Sequence, residues 1–326
     1  MVKNIPTNND FGKVANHLLH KSWNTVIEIL LSSPTFHLGK VQIPDKNPEE
    51  SPCSSILDND NRAFWSEVGI TLSACITSIT QAVEFFLKGK ICDISPYLLI
   101  SSEVKGWPKR SDAEDVDYAD FKTVDAQDLL KIHDTFCPSE SRMGNSFKDW
   151  YLQLRKERNK IMHTVDKGAQ YDPRQALVLI LECHQFFYGE RNWANGRRIF
   201  LRSDPMTSFF HQLDKERQNA AISSKILIEM YVLFTAITPS QSMRFFNFRK
   251  KDRASLCPVC VKGISYHFSD EPHSFMKTLQ EVKGEGVMSC FICGHKAVYS
   301  GPCCTISCIG DTLDFHSKKC LWCETL

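Results

Sequence analysis

Apolar residues recur in steps of three and four along most of the first 240 positions, the spacing of one face of an α-helix. Residues 10–31 carry such a stripe in Phe11, Val14, Leu18, Leu19, Val26 and Leu30. A longer one, from about Asn61 to Cys92, runs through Val68, Leu72, Ile76, Ile79, Val83, Leu87 and Ile91, with Thr80, Glu84 and Lys88 on its other side. Ala126 to Phe136 reads as a short helix ended by Cys137-Pro138. Asp172-Pro173 opens another, through Leu177, Ile180, Leu181, His184 and Phe187, because proline suits the first helical position. A further helical stretch spans about Pro205 to Ile237, with Pro239 as its stop. Between these elements, residues 33–60 hold four prolines and read as a long connection. Ser111 to Asp120, with five acids and no base, reads as an exposed loop, and Arg191 to Arg202 as a basic connection.

One helix breaks its own pattern. From Phe147 the stripe continues through Tyr151 and Leu154 to Ile161 and Val165, but Arg158 occupies the place between Leu154 and Ile161. A guanidinium on a core face is costly unless it is paired or lines a wet cleft. Asn159 follows it, and His163 lies five residues on, near an expected helix end at Gly168. Asn145 or Ser146 is placed to cap the start.

Composition sharpens the division of the chain. Nine of the 14 cysteines fall between Cys257 and Cys323, and a net charge of +1 excludes a globally basic polyanion binder. The apolar runs read as too short to span a membrane and the N-terminus lacks a signal-like core, so a cytoplasmic protein is expected. In a reducing compartment clustered cysteines mean metal rather than disulfides. Cys257-x-x-Cys260 and Cys290-x-x-Cys293 form two zinc knuckles, a complete ligand set for one structural Zn²⁺. Cys320-x-x-Cys323 is a third knuckle, for which Cys304 and Cys308 are the expected partners, with Cys303 or His316 as replacements. Ile264, Tyr266, Phe268 and Val287 are candidates for short strands of this module. The expected organisation is an N-terminal helix and connection (1–60), a helical bundle (61–240), a basic linker (241–256) and a zinc-ribbon-like β module (257–326). The fold class is thus mainly α with a small cysteine-rich zinc-binding appendage. In the linker, Arg244 to Arg253 mixes five bases with three phenylalanines. Its aromatics either stack nucleobases or pack on the bundle, and the packing reading is preferred.

Arginine and histidine together suit phosphodiester cleavage without a catalytic metal. Histidine moves a proton near neutral pH, and arginine stabilises charge developing on phosphate. Six bases against two acids between Arg142 and His163 give a local field that attracts a polyanion. Arg155, Lys156 and Lys160 are the candidate RNA contacts. In a regular helix, Arg158 and His163 diverge by about 140°. Arg158-Asn159-x-x-x-His163 resembles the signature of the HEPN superfamily, and Gln81 to Gly89 is similar to that fold's acid-bearing helix, with Glu84 in a supporting role. The resemblance covers about residues 60 to 190. It implies a homodimeric helical bundle and a metal-independent endoribonuclease. No acidic cluster in the helical part reads as a magnesium site and the cysteine sites read as closed, so the expected nucleophile is the RNA's own 2′-hydroxyl. The resemblance also implies a toxin or phage-defence effector with a neutralising or regulatory protein partner. The alternative is a non-catalytic dimeric adaptor that binds its partner through the zinc module.

Overall fold

A computed structural model describes residues 1–33, 36–37, 40–41, 55–101, 103, 105, 107–108, 115–163, 171–189, 193–204, 213–265, 277–282, 285–301, 303, 308, 311–314, 318–320 and 323. In chain order the elements are β1 (Val2–Lys3), α1 (Asn8–Ser32), β2 (Phe36–His37), β3 (Lys40–Val41), α2 (Ser55–Ile94), β4 (Val116–Asp117), α3 (Ala126–Phe136), α4 (Asn145–His163) and α5 (Pro173–Tyr188). They continue with α6 (Trp193–Ser203), α7 (Lys215–Ala236), α8 (Pro239–Phe246), β5 (Ala254–Ser255), α9 (Pro258–Ser265), β6 (Leu279–Val282), β7 (Val287–Cys290), β8 (Lys296–Tyr299) and β9 (Thr312–Asp314). The chain is mostly helical, with a small antiparallel sheet near its C-terminus. It divides into two compact units, Met1–Ile29 with Glu49–Phe187, and Leu30–Pro48 with Tyr188–Leu326.

The first unit is organised on α2. By length and composition alone, Phe64–Ile94 could cross a membrane, at a mean hydropathy of 1.5. That corrects the sequence reading that no apolar run is long enough. In the fold the same helix is a core element, burying Leu72, Ile79, Val83, Leu87 and Ile91. Helices α3 and α4 pack against it. Phe147 and Tyr151 on α4 stack at 5.9 Å, and Phe187 of α5 meets both Phe147 and Phe86 of α2. Such aromatic pairs add directional attraction to the burial of their area. Trp150 donates its indole N–H to Glu182 of α5 at 2.8 Å, so this partly buried ring leaves no unmet donor. Gly89 has a steric cause: a Cβ there would lie 2.5 Å from the Asn8 side chain, where α1 begins against α2. Asn8 in turn donates to Asp93 at 2.6 Å. Part of the acidic stretch expected as a loop is ordered, since Val116–Asp117 pairs in parallel with Val2–Lys3.

The second unit joins helices to the sheet. The basic run read as a connection is helix α6, because Trp193, Ala194, Arg197, Phe200 and Leu201 make one buried face. Arg197 is 0% exposed and forms a two-pronged ion pair with Glu229 of α7, at 2.9 and 2.7 Å. Pro239 does more than stop α7. It is the first residue of α8, whose start is held by a reciprocal capping box between Thr238 and Gln241. Phe246 and Phe248 are buried and, with Phe234 of α7 and Phe291, form one aromatic cluster. The expected linker therefore packs, and α7 also packs on α9, which places residues 188–240 with the cysteine module rather than with the bundle. Strands β5 to β9 form a meander in sequence order. Ser255 on one edge strand donates to Asp311, next to the other edge strand, at 2.7 Å. Val287 opens β7 as expected, whereas Ile264 lies in helix α9, and Tyr266 and Phe268 fall outside the described residues.

Candidate functional site

The cysteines make the most complete site. Cys257 follows β5 and Cys260 lies in α9, whose first turn folds back so that the Cys260 and Val261 N–H groups donate to the Cys257 carbonyl. Cys290 ends β7. Gly294, at φ 74°, reverses the chain after it, a conformation that glycine adopts without penalty and that brings Cys293 under Cys290. The four sulfurs converge, with Cys257 and Cys293 at 3.6 Å and Cys260 and Cys290 at 3.8 Å. Those separations exceed a disulfide bond and equal the edge of a tetrahedron with metal–sulfur arms of about 2.3 Å, roughly 3.8 Å. Hydrogen bonding among the thiols, that from Cys257 foremost, pushes the Cys260 thiol up and holds Cys290 down. Four adjacent thiols cannot all ionise beside one another without a cation, so the donor set fits a divalent metal.

A second group closes in the same way. Cys303 and Cys323 approach to 3.6 Å, Cys308 and Cys320 to 3.7 Å, and the four could hold one ion. Here Cys303 takes the place for which Cys304 was the first choice, and Cys304 lies outside the described residues. Strand β9 separates the two halves, and a bridge between Leu313 and Cys320 folds the last knuckle back onto that strand. Both groups consist of free cysteines and both fit zinc. A third grouping, His133, Asp134 and Cys137 at the end of α3, was not anticipated. Asp134 already accepts the Met143 N–H and pairs with Lys148 at 3.0 Å, which accounts for it as a structural contact.

The other candidate site lies where α2 and α4 face each other. Phe147, Tyr151 and Leu154 are buried as the pattern predicts, and burial falls away one turn later. Arg158 therefore sits half-buried at the wet end of the stripe, not in the core. It donates through Nη1 to Asn159 Oδ1 at 3.3 Å. Glu84 of α2 is half-buried opposite. Its carboxyl is pushed above the usual value chiefly by desolvation, against which the charges of Arg158, Lys88 and Arg155 act. So Glu84 senses both Arg158 and Lys88. Arg155 lies over the Tyr151 ring at 5.8 Å, Lys156 is exposed, and Lys160 pairs with Glu157 at 3.1 Å. The helix ends at His163, whose side chain, with residues 164–170, falls outside the described residues. It starts at Asn145, and the N–H groups of Phe147 and Lys148 are met by the Gly144 carbonyl.

The chain has no significant match to any protein family, to any curated protein or to any solved structure.

Proposed function

We propose that the protein is an endoribonuclease of HEPN type, working through Arg158, Asn159 and His163, with zinc in both tetracysteine groups. The observation that carries this reading is the position of Arg158. A guanidinium at the solvent end of an apolar stripe, steadied by Asn159 and facing the half-buried Glu84, has donors in reach of a ligand. His163 serves as acid and base, with Arg155, Lys156 and Lys160 as the flanking RNA contacts. A 2′-hydroxyl gives its proton to the imidazole and its oxygen attacks the adjacent phosphorus. The bond from phosphorus to the 5′-oxygen breaks, and that oxygen takes a proton. The products are a 2′,3′-cyclic phosphate and a 5′-hydroxyl. Arg158 stabilises the charge gathered on the phosphoryl oxygens.

The divergence of about 140° between Arg158 and His163 supports a homodimer, in which one protomer's arginine faces its partner's histidine. Zinc bound by four thiolates has a closed shell, so it acts as a folding element and not as a Lewis acid. The setting proposed is cytoplasmic, as a toxin or phage-defence effector held in check by a protein partner. A second reading, a non-catalytic dimeric adaptor, is favoured by Val259, 52% exposed beside the buried ligands of the first cluster. Incubation of the purified chain with total RNA, after brief EDTA treatment, decides between them. Cleavage that disappears in His163→Ala, and at a single 2′-deoxy position, supports the nuclease. Equal cleavage by the variant, or none by the wild type, removes it.

A further inference from the structure

The basic, phenylalanine-rich stretch before the first cluster borders a cavity of about 540 Å³ within the second unit. Its aromatic lining is the half-buried Tyr231 of α7 together with the edges of Phe234 and Phe248, whose rings otherwise belong to the buried cluster. Three cations line it, Lys250, Arg253 and Lys277, against one acid, Asp252, which Arg249 already pairs at 3.1 Å. We infer that this cavity binds a nucleoside phosphate, with the base against the aromatic lining and the phosphates held by the cations around it, Arg253 and Lys277 among them. The inference concerns a site separate from Arg158 and holds whether or not the chain cleaves RNA.

Each part of the wall has a role in that assignment. The Lys250 ammonium donates to the carbonyls of Phe234 and Ile237 at the end of α7. It thereby offsets the negative end of the helix, which would otherwise repel a phosphate. Arg253 immediately precedes β5, and its guanidinium lies 3.9 Å over the Tyr299 ring. Stacking of this kind pre-orients a planar fork whose edge can take two phosphate oxygens. Lys277 comes two residues before β6 and lines the same cavity, with its side chain exposed. The volume lies within the roughly 300–1,000 Å³ of small-molecule sites. A flat ring is what rigid aromatic walls hold best, by stacking that is tolerant of base identity. An aliphatic chain would leave the cations unused, and an acidic peptide would leave the aromatic wall unused.

The ligand is either a free nucleotide or one nucleotide of an RNA strand, and titration calorimetry on the whole 326-residue chain with its metal sites filled separates the two. The probes are ATP, a 2′-O-methyl oligouridine hexamer that cannot be cleaved by 2′-hydroxyl attack, and inorganic triphosphate. Saturable binding of ATP identifies a free nucleotide, and binding of the hexamer alone identifies a strand. In either case Arg253→Glu and Lys277→Glu should each weaken binding about tenfold or more. Lys251→Glu makes the same charge change outside the lining and should stay within about twofold of wild type. Arg253 and Lys277 are both exposed, so neither reversal disturbs the core, and an unchanged thermal transition verifies this. Absence of saturable binding by ATP and by the hexamer overturns the assignment. So does binding that survives both reversals, or triphosphate binding as tight as that of ATP.

Discussion

Two helix contacts in this protein carry an arginine on an otherwise apolar face, and they resolve it differently. Between α6 and α7, Arg197 meets the Glu229 carboxylate with both prongs, lies over Phe200 at 5.4 Å, and has lost all contact with water. Between α2 and α4, Arg158 is half-buried and donates to a neighbour on its own helix, and no ion pair joins it to Glu84 among the described residues. An arginine in a stripe thus says only that something must compensate a charge. Where the compensating carboxylate is within reach and water is excluded, the pair is part of the framework. Where the acid stays at a distance, the guanidinium is left able to serve a ligand.

The largest expected effect concerns the framework as a whole. Prolonged chelation that strips metal from both tetracysteine groups should unfold the sheet and the helices packed on it. Structural zinc contributes on the order of 10 kcal/mol to such modules. Calorimetry with elemental analysis should show the loss of one transition as zinc leaves, while helicity from the α2–α4 unit persists. A single transition unaffected by metal loss would contradict it.

Next in size is Arg197→Ala, expected to cost about 3–5 kcal/mol in denaturant titration, since it removes the two-pronged partner of a carboxylate buried in the core. Replacing Arg197 by methionine and Glu229 by leucine together should recover most of that loss, because neither charge is then buried. Arg158→Ala should behave in the opposite sense. Its stability should stay within about 0.5 kcal/mol of wild type, while RNA cleavage falls by roughly 10²–10³-fold. If Arg158→Ala melts as Arg197→Ala does, the contrast between the two contacts is lost.

The smallest effect belongs to Glu84. Burial raises its folded-state pKa above the ordinary 4.5, with Arg158 opposing the shift. The folded protein then keeps this proton to a higher pH than the unfolded chain does. Stability from this group is greatest at low pH and declines as pH rises through the window just above 4.5. Denaturation midpoints measured from pH 4.5 to 7 should therefore decline less in Glu84→Gln than in the wild type. In Arg158→Ala the decline should be steeper, because the opposing charge is gone.

Where local periodicity was strong, the sequence reading and the fold coincide. Helix α3 has the bounds Ala126–Phe136 expected of it, and α5 opens at Pro173 behind Asp172, whose carboxylate accepts the Arg174 N–H at 2.8 Å. The four cysteines of the first cluster were legible because two knuckles have one sensible pairing. The second was less so: adjacent Cys303 and Cys304 have the same chemistry, and no spacing rule in the sequence selects between them. Helix α6 was missed because its stripe becomes continuous only when Arg197 counts as a buried position, which requires knowing that Glu229 waits across the contact. The boundary at Tyr188 was hidden for a related reason, since the packing of α7 on α9 joins residues far apart in the chain. The wet end of the α4 stripe was legible as an anomaly at Arg158, but its half-burial depends on where α2 stops covering α4.

The two cysteine groups use their ligands in strict succession. All four of the first, ending at Cys293, precede Cys303, the earliest of the second. Nothing is interlaced, so a growing chain possesses everything the first metal requires before the second set has been made. Each closure spans little chain, 29 residues between Cys260 and Cys290 and 11 between Cys308 and Cys320, which keeps the entropic cost of ring formation low. The module can therefore mature from its N-terminal side onward, and damage to the later cluster need not travel back to the earlier one.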